Sequence, residues 1–317
     1  MLALVEITPW HYVGFILCVL FFLALDLGVF HRHAHVVKFK EALGWTTVWF
    51  TVAMLFALGL RFARGPEESL EFLTGYLIEL SLSMDNVFVI ALIFGYFRVP
   101  QQYQHRVLFW GILGALIMRG VLIAVGAALI QQFQWMLYVF GVFLVFTGIK
   151  MLFADDDGVH PEKNPVIRLA RKLFPVSAEL NGQHFTIKRE AGIALTPLAL
   201  VLILVETTDL VFALDSIPAI FAVTDKTFII FTSNVFAILG LRSLYFVLAG
   251  AIGLFRYLKY GLSLVLVFIG VKMLFAPHGD SHRWWQFEIP IVASLCIVVF
   301  IILASILLSV IASRRRK

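Results

Sequence analysis

Three carboxylates lie inside one apolar segment of this chain, where charge is costly and needs a chemical reason. Glu206, Asp209 and Asp215 fall within an otherwise apolar run from about residue 199 to residue 223. A run of this length spans a lipid bilayer. An ionised side chain at that depth costs at least about 2.5 kcal/mol, so these acids are predicted to bind an ion or to pair with buried cations.

A second acidic motif stands in another apolar run, in the first half of the chain. It contains Glu79, Asp85 and Asn86. In both motifs the corresponding acids are six residues apart, Glu79 with Asp85 and Asp209 with Asp215. We therefore expect the two motifs to form one site.

The donor atoms at these positions are hard oxygens. Carboxylates, the Asn86 amide and the hydroxyls of Ser216 and the threonines at 207 and 208 suit Mg²⁺, Ca²⁺ or Mn²⁺ in roughly octahedral coordination. Zinc is less natural, because the two acidic motifs offer neither thiolates nor a histidine pair. The acids are predicted to bind a transported divalent cation, with no resident cofactor.

The six-residue spacing restricts what one ion can contact. On a straight helix such positions differ by about 120° around the axis and by about 9 Å along it. Either the helix is broken, or Glu79 and Asp85 serve different partners. Pro218 favours a break in the second motif, because it leaves the carbonyl oxygen of Leu214 without its helical donor.

Buried basic side chains are the natural partners of such acids. Arg119 and Arg242 lie near the middle of apolar runs, and a buried guanidinium is expected to pair with carboxylates. They serve either as structural ion pairs or in ion release and proton coupling. Asp26, near the end of the first apolar run, is a further candidate ligand. Lys150 and Lys272 stand near run ends and are expected to extend to the headgroups.

The composition is that of a membrane protein. Apolar residues make up 61% of the 317 residues and charged residues 14%, against roughly 25% charged residues in soluble domains. Nine apolar runs stand out, at about 10–30, 45–60, 70–94, 107–130, 135–153, 193–223, 228–254, 258–275 and 287–311. The predicted fold is an all-α polytopic transmembrane helical bundle of about nine spans.

Lysine and arginine are distributed unequally between the two ends of these spans. If the basic C-terminal residues 314–317 are cytoplasmic, only Arg61, Arg64, Lys226 and Arg283 fall on the opposite side. The positive-inside rule then predicts an external N-terminus and a cytoplasmic C-terminus. The net charge of +5 reflects this placement and does not indicate nucleic acid as a partner.

The two halves of the chain share an ordered set of features. The string Gly-Ile-Lys-Met-Leu-Phe-Ala at 148–154 recurs at 270–276 with Val in place of Ile. In each half an acidic motif comes first, a mid-span arginine follows, and this string comes last. Each repeat therefore has three spans, and an odd number inverts the second copy. Inverted repeats are typical of secondary transporters, with the site at the midplane between them.

This pattern predicts a division of the chain into five parts. They are two leading helices (1–69), the first three-helix repeat (70–154), a cytoplasmic loop (155–190), the second three-helix repeat (191–276), and a final helix with a basic cytoplasmic tail (277–317). Within the loop, the basic amphipathic run 166–174 is expected on the inner leaflet. Asn181-Gly182 suggests a small hairpin.

Three strings in this sequence resemble the TerC/Alx family of bacterial integral membrane proteins, and the likeness covers most of the chain. They are ELSLSMDNVFV from residue 79, DSIPAIFAV from residue 215 and SNVFAILGLRSLYF from residue 233. The resemblance implies a bacterial cytoplasmic membrane and links to tellurium resistance, alkaline response and manganese export. It also implies a metal site made of Glu79, Asp85, Asn86, Glu206, Asp209 and Asp215.

The predicted function is export of a divalent cation, Mn²⁺ first, coupled to protons, because protonation of the carboxylates releases the metal. No enzyme is expected, since Asp85 and Asp215 lack the sequence contexts of intramembrane aspartyl proteases. The alternatives are a membrane redox modulator, although Cys18 and Cys296 stand far apart, and a metalation scaffold linked to tellurium or alkaline stress. The expected partners are the metal ion and the bilayer.

Overall fold

Ten α-helices and two short β-strands make up the part of the chain that the computed structural model describes. This part covers residues 7–25, 37–153, 164–177, 179–189, 192–249, 258–277, 286–287 and 289–314. In chain order the elements are α1 (Pro9–Leu25), α2 (Phe39–Ala63), α3 (Pro66–Tyr96), α4 (Gln101–Gln132), α5 (Met136–Phe153), α6 (Pro165–Leu173), β1 (Thr186–Arg189), β2 (Gly192–Leu195), α7 (Pro197–Phe221), α8 (Thr227–Ala249), α9 (Leu258–Phe275) and α10 (Ile291–Arg314). The all-α prediction is confirmed.

Eight of the described helices are long and apolar enough to cross a membrane, namely α2 to α5 and α7 to α10. α1 is a ninth apolar helix, with 17 residues, and its last residue is also the last described residue of that segment. The prediction of a polytopic bundle with about nine spans therefore holds for these residues. Many of the helices carry exposed apolar side chains, such as Phe146 on α5 at 63% exposure, which a bilayer covers without cost.

Prolines set the starting points of several helices. Pro66, Pro165 and Pro197 each occupy the first turn, where the missing N–H breaks no helical hydrogen bond. The Thr196 hydroxyl caps α7 by accepting from the Ala199 amide at 3.4 Å. For this reason the sixth apolar run, expected from residue 193, is helical only from Pro197, and the residues before it form β2.

The helices of the two repeats pack on one another in an exchanged pattern. α3 packs against α8, and α4 packs against α7. These are the same pairing with the two repeats interchanged, since α3 corresponds to α7 and α4 to α8. The remaining equivalent pair, α5 and α9, packs directly together. Such an exchange is expected when an approximate twofold relation joins two inverted repeats.

Small residues bring α5 and α9 into close contact. A β-carbon added to Gly270 would lie 2.8 Å from the carbonyl oxygen of Gly141, and one added to Gly148 would lie 2.9 Å from that of Ser263. In the repeat, Gly141 and Gly148 correspond to Ser263 and Gly270, so the two contacts are equivalent. The earlier residue of one helix meets the later residue of the other. The helices are therefore antiparallel, the orientation that inverted repeats require, with small residues at their interface.

The helix break expected at Pro218 is absent from the described structure. α7 is helical throughout, with Pro218 inside it and three residues before its end, so the helix continues past the one hydrogen bond that the proline cannot donate. α3 is also unbroken. Acids six residues apart therefore stand on unbroken helices, about 120° apart around the axis.

The segment between α6 and α7 also differs from its prediction. Gly182 has the left-handed conformation of a turn residue, with φ of +55°, but this turn precedes β1 and does not join two strands. The hairpin lies further along the chain, where β1 pairs with β2 in antiparallel register and Arg189 lies opposite Gly192. The amphipathic run does form a helix, α6.

Candidate functional site

α3 and α7 hold the acids on unbroken helices, and this fixes their relative directions. On α3, Glu79 and Asn86 are seven residues apart and share a face, whereas Asp85 is turned from Glu79 by about 120°. On α7, Asp209 and Asp215 are related in the same way. Each acidic motif therefore presents two different faces to its surroundings.

A buried ion-pair cluster joins the two motifs at the first face. Arg119 of α4 donates from Nε to Oδ2 of Asp209 at 3.2 Å and from Nη2 to Oδ1 at 2.9 Å. Its Nη1 contacts Oε1 of Glu79. All three side chains belong to residues no more than 9% exposed. One guanidinium faces two carboxylates, so one negative charge of the cluster is formally uncompensated.

A small cavity adjoins this cluster, and residues from both faces line it. It has a volume of about 40 Å³, large enough for one water-sized species. Its polar lining consists of Glu79, Asp85, Asn86, Asp215 and Ser216, and its apolar lining of Leu82, Met151, Phe212 and Leu266. Two oxygens of these residues, Oε2 of Glu79 and Oδ1 of Asn86, are buried with no hydrogen-bond partner. Buried acceptors are costly to leave unsatisfied, and a bound cation satisfies them.

α5 contributes further groups to the surroundings of Asp215. The Thr147 hydroxyl is placed to donate to the Asp215 carboxylate, and the Lys150 ammonium is near enough for its charge to act on it. The sequence predicts only a headgroup contact for Lys150, so this proximity is a new feature. The next residue, Met151, brings a thioether into the cavity lining.

The carboxylates line the cavity without closing around a single point. Among the residues that the structure describes, no three His, Cys, Asp or Glu side chains are close enough together to hold a metal ion. Arg119 occupies one oxygen of Glu79, and Thr147 faces Asp215. Binding of a divalent ion at this place would therefore require side-chain movement.

Glu206 lies outside this cavity. Its carboxylate occupies the space beside Gly114 of α4, so that a β-carbon at Gly114 would overlap it. Glu206 is half-buried, and the charge of Asp209 acts on it. The neighbouring Thr207 accepts a hydrogen bond from Nδ2 of Asn164 at 3.2 Å. Glu206 therefore lies between the ion-pair cluster and the beginning of α6.

The two remaining predicted site residues are Arg242 and Asp26. Arg242 is buried on α8, at 7% exposure, but it does not line the cavity. Asp26 lies outside the described residues. The role of Arg242 in ion pairing or coupling and the role of Asp26 as a ligand stay predictions.

A second ion-pair cluster, which we call the outer cluster, lies at the start of α3. Arg64 donates to Glu68 from Nε and Nη2, both at 2.8 Å. Nζ of Lys226 lies 3.1 Å from Oε1 of Glu71 and 3.6 Å from Oε1 of Glu68. The Thr224 hydroxyl donates to the other oxygen of Glu71 at 3.0 Å. These contacts tie α3 to the α7–α8 connection. The sequence signal for this cluster is that its acidic and basic residues all fall on the predicted external side.

Larger cavities lie beside α1 and differ in character. Their volumes are about 660 Å³ and 590 Å³, and they are lined mainly by apolar side chains such as Phe15 and Val19, with no carboxylate. They suit acyl chains and not ions. The carboxylate-lined cavity is therefore the candidate site despite its small size.

The fold and the site together define a polytopic helical membrane protein with a buried carboxylate centre between inverted repeats. The family model described as Integral membrane protein TerC family matches residues 64–317. The chain belongs to the TerC family.

Several curated proteins are similar to this chain along nearly its whole length. An uncharacterized membrane protein of Myxococcus xanthus is 50% identical over 307 residues, which cover 97% of this chain and 94% of the relative. A protein of Escherichia coli (strain K12) called Alx, whose name proposes a membrane-bound redox modulator, is 44% identical over 311 residues, 95% of this chain and 94% of Alx. An uncharacterized membrane protein of Rickettsia bellii is 42% identical over 289 residues, 91% and 93% of the two chains. No solved structure matches this chain.

Proposed function

We propose that this protein is a divalent-cation transporter of the bacterial cytoplasmic membrane that exports Mn²⁺ in exchange for protons. The observation that carries the proposal is the cavity between the repeats. Acids of both repeats line it, and buried oxygens of Glu79 and Asn86 there have no hydrogen-bond partner. Ionisable residues buried in membrane spans generally mark ion pathways, and inverted repeats commonly hold their substrate at this position.

The donor atoms favour a hard cation with some tolerance for softer ligands. Carboxylate, amide and hydroxyl oxygens suit Mg²⁺, Ca²⁺ and Mn²⁺. Met151 adds a thioether sulfur to the same lining, and soft sulfur ligands are disfavoured by Mg²⁺ and Ca²⁺ relative to transition metals. This mixed lining supports Mn²⁺ as the preferred substrate.

Coupling to protons follows from the chemistry of the carboxylates. Asp85 and Asp215 bind a metal only when they are ionised, so protons compete with the metal for the same oxygens. Arg119 pairs with Glu79 and Asp209 and holds them as a fixed charged unit beside the cavity. Protons arriving from outside then release the cation, and proton loss to the cytoplasm restores the site.

Two further features lie where the two ends of a transport path would be expected. Glu206 lies towards α6, on the predicted cytoplasmic side. The outer cluster ties the start of α3 to the α7–α8 connection on the opposite side. Alternating access requires that the two ends open in turn. In this proposal the external end opens when the ion pairs of Lys226 with Glu68 and Glu71 break.

The relatives named as redox modulators offer a second candidate function. Cysteine chemistry is the simplest route to such a role, but Cys18 of α1 and Cys296 of α10 are exposed, and neither lines the cavity. The carboxylate cavity thus supports transport more directly than thiol redox chemistry. A metalation scaffold would share the metal site but would show no flux.

The test is Mn²⁺ flux in proteoliposomes under an imposed pH gradient. Asp85→Asn and Asp215→Asn are expected to lower flux by about 10–100-fold or more, as loss of metal-site residues generally does. Glu179→Gln, at an exposed position between α6 and β1, is the control and should transport like the parent. Full flux in the two site variants would overturn the site assignment. Metal binding without flux in the parent would favour the scaffold.

A further inference from the structure

α6 lies alongside a membrane-spanning helix and not on a separate cytoplasmic domain. At its beginning, Asn164 is hydrogen-bonded to Thr207, ten residues into α7. After its end, the chain is bonded to the residue just before α7, because the Leu195 amide donates to the carbonyl oxygen of Pro175 at 2.9 Å. α7 rises by about 15 Å between Pro197 and Thr207, and nine residues of α6 cover about 13 Å. α6 is therefore antiparallel to the first three turns of α7.

One face of α6 is built into the bundle. Ile167 is 0% exposed and Ala170 is 9% exposed, and both belong to the apolar core formed with Leu200, Val201 and Leu204 of α7. Asn164 caps the helix by accepting from the amides of residues 166 and 167 at 2.9 Å and 3.2 Å. The position and direction of α6 are thus set by contacts along its whole length.

The opposite side of α6 is exposed and has two kinds of surface. Val166, Leu169 and Leu173 form an apolar stripe and are 40%, 54% and 63% exposed. Arg168, Arg171 and Lys172 are exposed as well, and the helix contains no acidic residue. Arg168 stands nearer the start of the helix, and its side chain is long enough to extend towards the headgroups. An apolar stripe with a basic end matches a leaflet with anionic headgroups.

We propose that α6 is a half-membrane helix embedded in the cytoplasmic leaflet, and that its last turn binds the headgroup of an anionic phospholipid. Thr207 is near the middle of α7, so the beginning of α6 lies at acyl-chain depth. The end of α6 lies where α7 begins, at headgroup level. Arg171 and Lys172 are therefore placed beside lipid phosphates while Leu169 contacts acyl chains. The sequence already predicts this run on the inner leaflet, and the contacts with α7 add that the beginning of α6 is embedded below the headgroups.

The charge distribution selects an anionic lipid over a protein partner. A docked protein would need a surface that is both apolar and acidic at this depth of the leaflet. Phospholipids offer that combination directly, with acyl chains below the phosphate. Each basic side chain near an anionic surface contributes attraction equivalent to about a fivefold change in binding.

Depth is tested with a single spin label. The chain has two cysteines, so Cys18→Ser and Cys296→Ser provide a cysteine-free background for Leu169→Cys. The label at residue 169 should be relaxed more by oxygen than by a water-soluble nickel complex, as at Phe146→Cys, a lipid-facing control on α5. Relaxation like that at Gln183→Cys, in the exposed segment before β1, would overturn the proposal. Protection from both relaxants would also overturn it, because it indicates a protein cover.

Headgroup binding is tested by native mass spectrometry of the full chain with phosphatidylglycerol and phosphatidylcholine. Arg171→Gln combined with Lys172→Gln should lower the preference for phosphatidylglycerol by roughly 25-fold, as two such charges predict. Lys188→Gln, an exposed lysine on β1, is the matched control and should keep the preference. Equal preference in the double variant and the parent would overturn the headgroup assignment. Neither measurement depends on transport activity.

Discussion

Arg119 of α4 and Asp209 of α7 are joined by two parallel hydrogen bonds, Nε to Oδ2 at 3.2 Å and Nη2 to Oδ1 at 2.9 Å. The same guanidinium also contacts Glu79 of α3. Two helices of the first repeat are thus linked to one helix of the second through a single buried cation. This linkage places the ion-pair cluster beside the cavity and leaves Asp85 and Asp215 as the acids that Arg119 does not hold.

Removal of the Arg119 charge should destabilise the protein strongly. Arg119→Gln leaves Glu79 and Asp209 buried without their cation, and breaking a buried pair from one side costs about 3–5 kcal/mol. Thermal unfolding in detergent measures the loss. Adding Asp209→Asn should recover part of the stability, because it removes one of the uncompensated charges. A single variant as stable as the parent would show that the cluster is not ionised as described.

Met151 should contribute to metal selectivity. Met151→Leu keeps the volume of the side chain and removes the sulfur, so the preference for Mn²⁺ over Mg²⁺ should fall severalfold while Mg²⁺ binding is unchanged. Competition binding to the purified protein measures both values. The matched control is Met273→Leu at the equivalent position of the second repeat, which is 1% exposed and packed in an apolar core. Equal effects of the two substitutions would count against a role for the sulfur.

Gly114 is expected to affect transport by setting the position of the Glu206 carboxylate. The atoms that an added methyl group would meet are the end of a flexible side chain, so Gly114→Ala should fold normally and displace the Glu206 carboxylate. We expect a severalfold loss of flux. Adding Glu206→Asp to Gly114→Ala shortens the acidic side chain and should restore part of the flux.

The control for this prediction is Gly120→Ala on the same helix. Its β-carbon would lie 3.5 Å from Phe231, an ordinary contact, and should leave flux unchanged. If Gly114→Ala transports like the parent, the position of the Glu206 carboxylate is not important for transport.

Lys226 is expected to stay charged, and so to stabilise the outer cluster, up to alkaline pH. Burial alone lowers the pKa of its ammonium, but the hydrogen bond and charge of Glu71, with the charge of Glu68, outweigh burial, so the pKa of Lys226 is raised. A raised lysine pKa stabilises the fold at pH values below the unfolded pKa, near 10.5, and this contribution is lost as pH rises through the folded value.

Lys226→Gln tests this contribution. Among the described residues, Glu71, at 5% exposure, then keeps Thr224 as its donor. A loss of about 1–3 kcal/mol is expected, near the lower end because Lys226 is partly exposed. Unfolding curves recorded between pH 8 and about 11.5 should show the parent approaching the variant only at the alkaline end. A constant difference across this range would contradict the ion-pair explanation.

Much of the fold follows from the apolar pattern of the chain. Residues 258–275 form α9 with the predicted bounds, because a long apolar run in a bilayer satisfies its backbone only as a helix. The acids also stand out from sequence alone, because Asp85 and Asp215 are expensive in such runs. Of the two alternatives that the sequence left open, the broken helix is the one that α7 does not show, because the helix continues through Pro218 and loses one hydrogen bond there.

The sequence by itself determined which ionisable residues lie inside apolar spans and that two inverted copies supply them. Spacing along a helix determines the angle between two side chains, but it does not determine which neighbouring helix each one meets. Only the tertiary structure decided that Arg119 pairs with Glu79 and Asp209, that Asp85 and Asp215 line the cavity, and that Glu206 lies beside Gly114. These contacts depend on how α4 and α5 pack against α7, and that packing comes from the whole set of apolar surfaces.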